Sequence, residues 1–410
     1  MWNIEKQIEQ NRVNDTYSSR KPLGKSMNQV SKVTFDKSLR RHYPKYIVVQ
    51  KSLSTIFSLL FALISLSLSA IDNTDSITER VNDAPQSVFE RLSEEEILSI
   101  TIRTDLNKLI ENKKEKKYQL AYMSFDDEPN ASQWQVSIKA RGKFRNKVCD
   151  FPPIKIKFDH SVLGSENLKS YKSLKLVTHC GDQAEAEELL QKEYLAYKIY
   201  NTITDKSLRV QLVKVTWIDK SGIHEIGEKW GFIIENEDEM AERIGGGVYD
   251  EFGVEPTQLN EANAANQALF QYMIGNADWD ILNNKNINLV KSNSNSDIWV
   301  VPYDFDFSGL VDAPYAVSTY GVTSVKERVF LGVKEQEMGD AIALFKSKEK
   351  EILDVISSFS HMSRSKKNQM KRYIKSFYSS LDEPFKDPNF YQERLASMRA
   401  KAADKETNMQ

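Results

Sequence analysis

The chain has 410 residues, 40% of them apolar, with 56 basic and 58 acidic side chains and a net charge of −2. This length and apolar share supply a core for one large two-lobed unit or two domains. A balance so close to neutral gives no basic field, which excludes nucleic acid as a nonspecific partner.

Residues 1–51 read as a basic cytoplasmic tail: Lys32, Lys37, Arg40, Arg41, Lys45 and Lys51 precede an uncharged run, "SLSTIFSLLFALISLSLSAI", at 52–71. Asp72, Asp75 and Glu79 follow it. By the positive-inside rule the tail stays in the cytoplasm and residues 72–410 are exported, extracytoplasmic or membrane-anchored. The run is about long enough to span a bilayer at roughly 1.5 Å per residue. Its "SLSA" end also offers small residues for a signal-peptidase cut, so a cleaved signal peptide, an uncleaved anchor and a buried helix all fit it. The polar stretch 72–94 reads as a linker.

Residues 95–236 are strand-rich. After "ILSITIRT" comes "QWQVSIKARGKF", in which Trp134, Val136, Ile138 and Ala140 alternate with polar residues, then "PPIKIKFD" and "LKLVTH". Such alternation predicts an antiparallel sheet with one buried face. Ile154, Ile156 and Phe158 take the core side, leaving Lys155 and Lys157 together on the other. The helical segment "DQAEAEELLQKEYLAYKIYNTIT" opens on Asp182 and Glu185, which resemble a capping box. Its Glu193 lies within the apolar stripe of Leu189, Ala196, Tyr197 and Tyr200, and a buried acid needs a partner: a strand lysine, or Arg145 or Lys147. "RVQLVKVTWID" and "KWGFIIEN" close the region.

Cys149 and Cys180 fall at strand ends in the exported part, where they form either a disulfide or two buried thiols. Two cysteines and five histidines, with no H-E-x-x-H and no C-x-x-C, argue against a zinc site. The absence of G-x-S-x-G disfavours a serine hydrolase of the α/β type.

Helical patterns dominate from 237. "QLNEANAANQALFQYMI" is stopped by Gly275, and an acidic loop with Asp278 and Asn286 follows. Two short strands and a Ser/Asn turn then lead to Asp304 and Asp306. Residues 237–340 form the expected catalytic lobe, and 341–410 a C-terminal pair of helices. The fold class expected is α+β: a two-lobed atypical protein-kinase-like fold, with an antiparallel-sheet lobe holding one inserted helix and a mostly helical second lobe.

Helix, acidic loop with a downstream Asn, hairpin, then D-F-x is the order in which protein kinases present a catalytic base and two metal ligands. There is no H-R-D and no G-x-G-x-x-G loop, so an ordinary kinase is excluded. At "ARGKFR", "PPIKIKF", "LKLVTHC", "LLQKEYLAYKIYN", "WGFIIENED", "IGNADWDILNNKNINL" and "VPYDFDFSG" the chain resembles the spore-coat CotH kinase family and its exported relatives, over roughly residues 95–335. "ARGKFR" departs from that family's R-G-N-S pattern.

The resemblance implies an ATP-dependent phosphotransferase acting on a hydroxyl of an exported or surface protein. Asp278 would be the base, and Asn286 and Asp304, with Asp306, would hold Mg2+ or Mn2+. Lys155 or Lys157 would contact phosphate, with Glu193 holding that lysine and Arg141 adding a further contact. Two alternatives stand beside it: a degenerate kinase-fold envelope binding or scaffolding protein, and a nucleotidyl transferase.

Overall fold

The computed structural model describes residues 85–125, 133–169, 171, 173–318, 323–332 and 338–381. The chain divides into two units, Met1–Val81 and Asn82–Gln410, and every described residue belongs to the second. The basic tail, the run at 52–71 with the export it implies, most of the linker and residues 382–410 lie outside the described residues. No helix among the described residues is long and apolar enough to cross a membrane.

A short helix α1 (Val88–Leu92) is followed by β1 (Leu98–Thr104), α2 (Leu106–Glu111), β2 (Gln119–Phe125), β3 (Gln133–Ala140), α3 (Arg145–Val148) and β4 (Ile154–Phe158). Next come α4 (His160–Ser165), β5 (Leu174–Thr178), α5 (Ala184–Ile203), β6 (Val210–Asp219) and β7 (Gly227–Ile234). The second half carries α6 (Glu237–Arg243), β8 (Gly246–Val248), α7 (Glu261–Ile274), β9 (Ile287–Ser292), β10 (Ile298–Pro302), α8 (Gly339–Ser358) and α9 (Arg364–Ser379).

Seven strands close into a barrel in the order β1-β2-β3-β4-β5-β7-β6. Its pairings are antiparallel except one: β1 runs parallel to β6, with Leu98 opposite Val213 and Thr104 opposite Asp219. This corrects the expected fold class, the two-lobed kinase-like fold with an antiparallel-sheet lobe. Alternation within a strand reports which face is buried. It does not report that the first strand meets a strand far along the chain and so removes both sheet edges. In the second half the two strands expected after Asn286 form as β9 and β10, and β8 joins them in a three-stranded sheet.

The inward residues fill the barrel, among them Ile102, Met123, Ile138, Ile156, Leu176 and Ile233. On the outer side of β5, β6 and β7, Val177, Leu212, Phe232 and Ile234 join a second apolar cluster with α5, α7, β9, β10, α8 and α9. Strand β7 is therefore covered on both faces, and α5 is pressed against the barrel wall. Helix α5 starts at Ala184 with Gln183 at its cap and no side-chain capping bond. The expected Asp182–Glu185 box does not form, and Asp182 lies 3.7 Å from Lys229 instead.

Helix α7 ends at Gly275, whose φ of 65° is left-handed. The same glycine leaves room for the Tyr373 hydroxyl of α9, which a Cβ would strike. This close approach seats the loop after α7 against the C-terminal helices.

Candidate functional site

The loop after α7 is organised by Asn276, which is buried. Its Nδ2 donates to Gln271 Oε1 at 2.9 Å, and its Oδ1 accepts the Asp278 N–H at 3.0 Å. Trp279 Nε1 donates to the Asn276 carbonyl at 3.1 Å, so the turn that presents Asp278 is tied down on three sides. Asp280 and Lys285 exchange backbone hydrogen bonds at 3.0 and 2.9 Å. That bridge pinches residues 281–284 into a turn and returns Asn286 to Asp278. Asn286 Nδ2 then donates to the Asp278 carbonyl at 2.7 Å and to its Oδ2 at 2.9 Å. The long interval between these two residues is thus closed by a local bridge. Lys285 Nζ holds the other oxygen of Asp278.

Asp304 and Asp306 reach the same place from β10. Tyr303 N–H donates to the Asn286 carbonyl at 3.0 Å, Gly309 N–H to the Gly275 carbonyl at 3.0 Å, and Leu310 N–H to the Ile274 carbonyl at 2.9 Å. Phe305 is fully buried, its ring 4.6 Å from that of Tyr197 and 5.3 Å from that of Phe270. The intervening aromatic anchors the loop and turns its two flanking acids. Asn286 and Asp304 both have positive φ, 55° and 65°, a conformation that Asn and Asp tolerate better than most residues. Asp306 accepts the Tyr315 hydroxyl at 3.0 Å. Burial, and then the charge of Asp304, push Asp306 up to about 7, against the pull of Arg145 and the Tyr315 hydrogen bond.

From α5, Tyr197 accepts the Asp304 N–H at 2.8 Å, and one turn earlier Glu193 points the same way. The structure pairs Glu193 with Arg145, at 3.5 Å, rather than with a strand lysine. Burial and the neighbouring Asp306 hold Glu193 well above the usual carboxylate range, with Arg145 opposing them. Burial also works against the Arg145 charge, but Tyr315, Glu193, Asp306 and Asp304 outweigh it and raise the guanidinium pKa.

The phosphate candidates stand on the outer face of the barrel. Lys139 is opposite Lys155, and Lys155 is opposite Lys175, a row of three lysines across β3, β4 and β5. Lys157 is exposed and Lys155 half-buried, on the same face. Arg141 continues that face beyond β3, its N–H bonded to the Pro153 carbonyl at 2.7 Å. Like charges directly opposite one another destabilise a sheet, so the row needs a nearby anion. Glu237 of α6 supplies one at 3.1 Å from Lys175. Burial, despite Glu237, and the cations Arg141 and Lys155 lower the Lys175 pKa. Its ammonium lies 5.2 Å from the Tyr303 ring, next to Asp304.

Sequence reasoning did not single out Lys175, Asn276, Lys285 or Tyr315. Lys175 alone carried a readable signal, being an out-facing residue in "LKLVTH" in line with Lys155. Cys149 and Cys180 form a disulfide with Cα atoms 4.6 Å apart.

No three His, Cys, Asp or Glu side chains among the described residues are grouped so as to cage a metal by themselves. Asp304 and Asp306 offer two carboxylates, however, and the Asn286 amide oxygen is not the atom spent on Asp278. That donor set suits Mg2+ or Mn2+, which take one or two carboxylates and complete their shell with water or phosphate oxygens. Asp278 also lines a small cleft with Ala277, Phe307, Val317, Ser318 and Val325.

No protein-family model matches the chain, and no curated protein matches it. A solved structure to which it is similar is the Helicobacter pylori proinflammatory kinase CtkA, at 10% identity over 60% of this chain and 95% of that one, with a TM-score of 0.32. A likeness of that size decides neither fold nor function.

Proposed function

We propose that this protein is a CotH-like phosphotransferase that moves the γ-phosphoryl group of ATP to a hydroxyl of a protein. The observation that carries the reading is the hydrogen-bonded pair Asp278–Asn286 joined to the Asp304–Asp306 loop through the Tyr303 amide and the Gly275–Gly309 contact. A proton acceptor and two crowded carboxylates on adjoining loops are what phosphoryl transfer to a hydroxyl uses.

Asp278 would take the acceptor proton, oriented by Asn286, with the acceptor side chain entering from the cleft beside Phe307 and Val317. Arg141, Lys155 and Lys175 would face phosphate oxygens, and Tyr197 fixes the backbone at Asp304. A divalent cation held by Asn286, Asp304 and Asp306 would offset the phosphate charge. If residues 72–410 are exported, the acceptor is an exported or surface protein.

One observation favours the binding-module reading instead: the Asp278 carboxylate is held by both Lys285 and Asn286, as the acid of a purely structural turn would be. Incubation of the purified protein with ATP and Mn2+ separates the readings. Label from the γ-phosphate on protein supports phosphotransfer, and label from the α-phosphate means nucleotidyl transfer. No transfer of either label leaves the binding module.

A further inference from the structure

Arg145 stands on α3, a single helical turn that is too short to hold itself in place. Its backbone is tied instead to the end of β5. The Cys149 N–H donates to the Arg145 carbonyl at 2.9 Å, and Cys149 is bridged to Cys180. Asp150 N–H donates to the Cys180 carbonyl at 2.9 Å, and Thr178 Oγ1 to the Pro152 carbonyl at 3.0 Å. The side chain closes the same knot: Nη2 donates to the Thr178 carbonyl at 2.6 Å, while Nη1 meets Glu193. Phe144, just before α3, stacks edge-on to Phe307 at 5.0 Å, and Phe307 directly follows Asp306. Thus the segment that carries Arg145 touches the acidic loop through a ring and Glu193 of α5 through a charge.

We propose that Arg145 is the positioning residue of the acidic site and that the Cys149–Cys180 bridge is a redox lock on it. With the bridge closed, the guanidinium is pinned between Thr178 and Glu193 and the Asp304–Asp306 loop is ordered. With it open, α3 loses its covalent tether and is held by hydrogen bonds alone, so the guanidinium shifts away from the acidic loop more readily. The consequence for catalysis rests on the phosphotransfer reading. A dithiol reductant opens the lock by exchange: two electrons and two protons pass to the S–S bond, giving two cysteine thiols, and the dithiol leaves as its own disulfide. Cys149 is buried and Cys180 half-buried, so attack comes from the Cys180 side.

Hydrogen–deuterium exchange on the full chain tests the coupling without reference to activity. Reduced protein, the Cys149→Ser/Cys180→Ser double variant and Arg145→Met should all exchange faster at amides 304–310, while α8 and α9 stay as in the oxidised parent. Arg145→Lys should return most of the protection. Unchanged protection at 304–310 in both the reduced protein and Arg145→Met overturns the proposal. Should Arg145→Met fail to fold by circular dichroism, reduction of the parent, checked by thiol labelling, decides alone.

In the transfer assay, reduction and Arg145→Met should lower kcat by about 10- to 100-fold, the range for partners that orient metal ligands. The KM for ATP should rise as well, since Asp304 and Asp306 would hold the cation that offsets the phosphate charge, and Arg145→Lys should recover both parameters. If the oxidised parent transfers no phosphate, the phosphotransfer reading fails, and the exchange result still rules on Arg145.

Discussion

The inside of the barrel and the outer face of β4 and the start of β5 come from one alternation, yet they carry opposite chemistry. In β4, Ile154, Ile156 and Phe158 fill the interior while Lys155 and Lys157 face outward. In β5, Leu174 and Leu176 point in and Lys175 points out. Beyond that outer face lie Arg145, Glu193 and Asp306, all sheltered from water. Burying apolar surface stabilises without any need for partners. Sheltered charges stabilise only when matched, and those at the acidic site are crowded with their own kind. The interior and the apolar cluster against α5 therefore hold the fold together, and the charged part of the outer face gives up stability to concentrate charge.

The largest contrast should come from one substitution on each side. Asp278→Asn keeps the shape of the outer site and removes its proton acceptor. Turnover in the transfer assay should fall by about 100- to 10,000-fold with the thermal midpoint nearly unchanged. A loss of midpoint in parallel with activity would make Asp278 structural and erase the division. Ile102→Ala in the interior should do the reverse, costing about 2–5 kcal/mol in urea unfolding because Ile102 is fully buried and its neighbours cannot collapse into the space.

His179 sharpens the comparison at the border between the two regions. It is buried, stacks on Phe151 at 4.9 Å, and its Nδ1 has no hydrogen-bond partner among the described residues. Burial, and then Lys229, push its pKa down to about 4. The unfolded chain, with an ordinary value near 6.5, therefore takes the proton first. Stability is full above about pH 6.5 and is lost as the pH falls toward about 4, by roughly 3 kcal/mol in total. In urea titrations at stepped pH, His179→Gln should flatten that slope.

Gly275→Ala should cost about 1–2 kcal/mol for its left-handed backbone alone, and displacing Tyr373 adds to this. The smallest effect belongs to Lys214→Ala, which breaks the exposed pair with Glu228 at 2.7 Å and should move unfolding by less than about 1 kcal/mol. A larger shift there would mean that exposed charge on the barrel wall matters as much as sheltered charge.

Local chemistry made several features legible. The period of two in "IKIKF" assigned the faces of β4, the glycine after "YMI" marked the end of α7, and the acids with a downstream Asn marked two loops worth watching. The capping of α5 was misread because Asp182 finds Lys229 nearby in space and Gln183 takes the cap position. Residue type and spacing also suggested that Glu193 needed a cation, with Arg145 among those open to it. They could not select Arg145 over a strand lysine, because the choice depends on where α3 is tied.

By itself, then, the sequence determined the strand faces, the helix stop and the residue types of the candidate site, since each depends on neighbours a few positions away along the chain. Only the tertiary structure decided that β1 lies parallel to β6 and closes a barrel, that Lys175 continues the row begun by Lys139 and Lys155, and that Arg145 reaches Glu193. The physical reason is that a local pattern fixes which side of an element is apolar, whereas the partner of that side is chosen among all the surfaces the folded chain can offer.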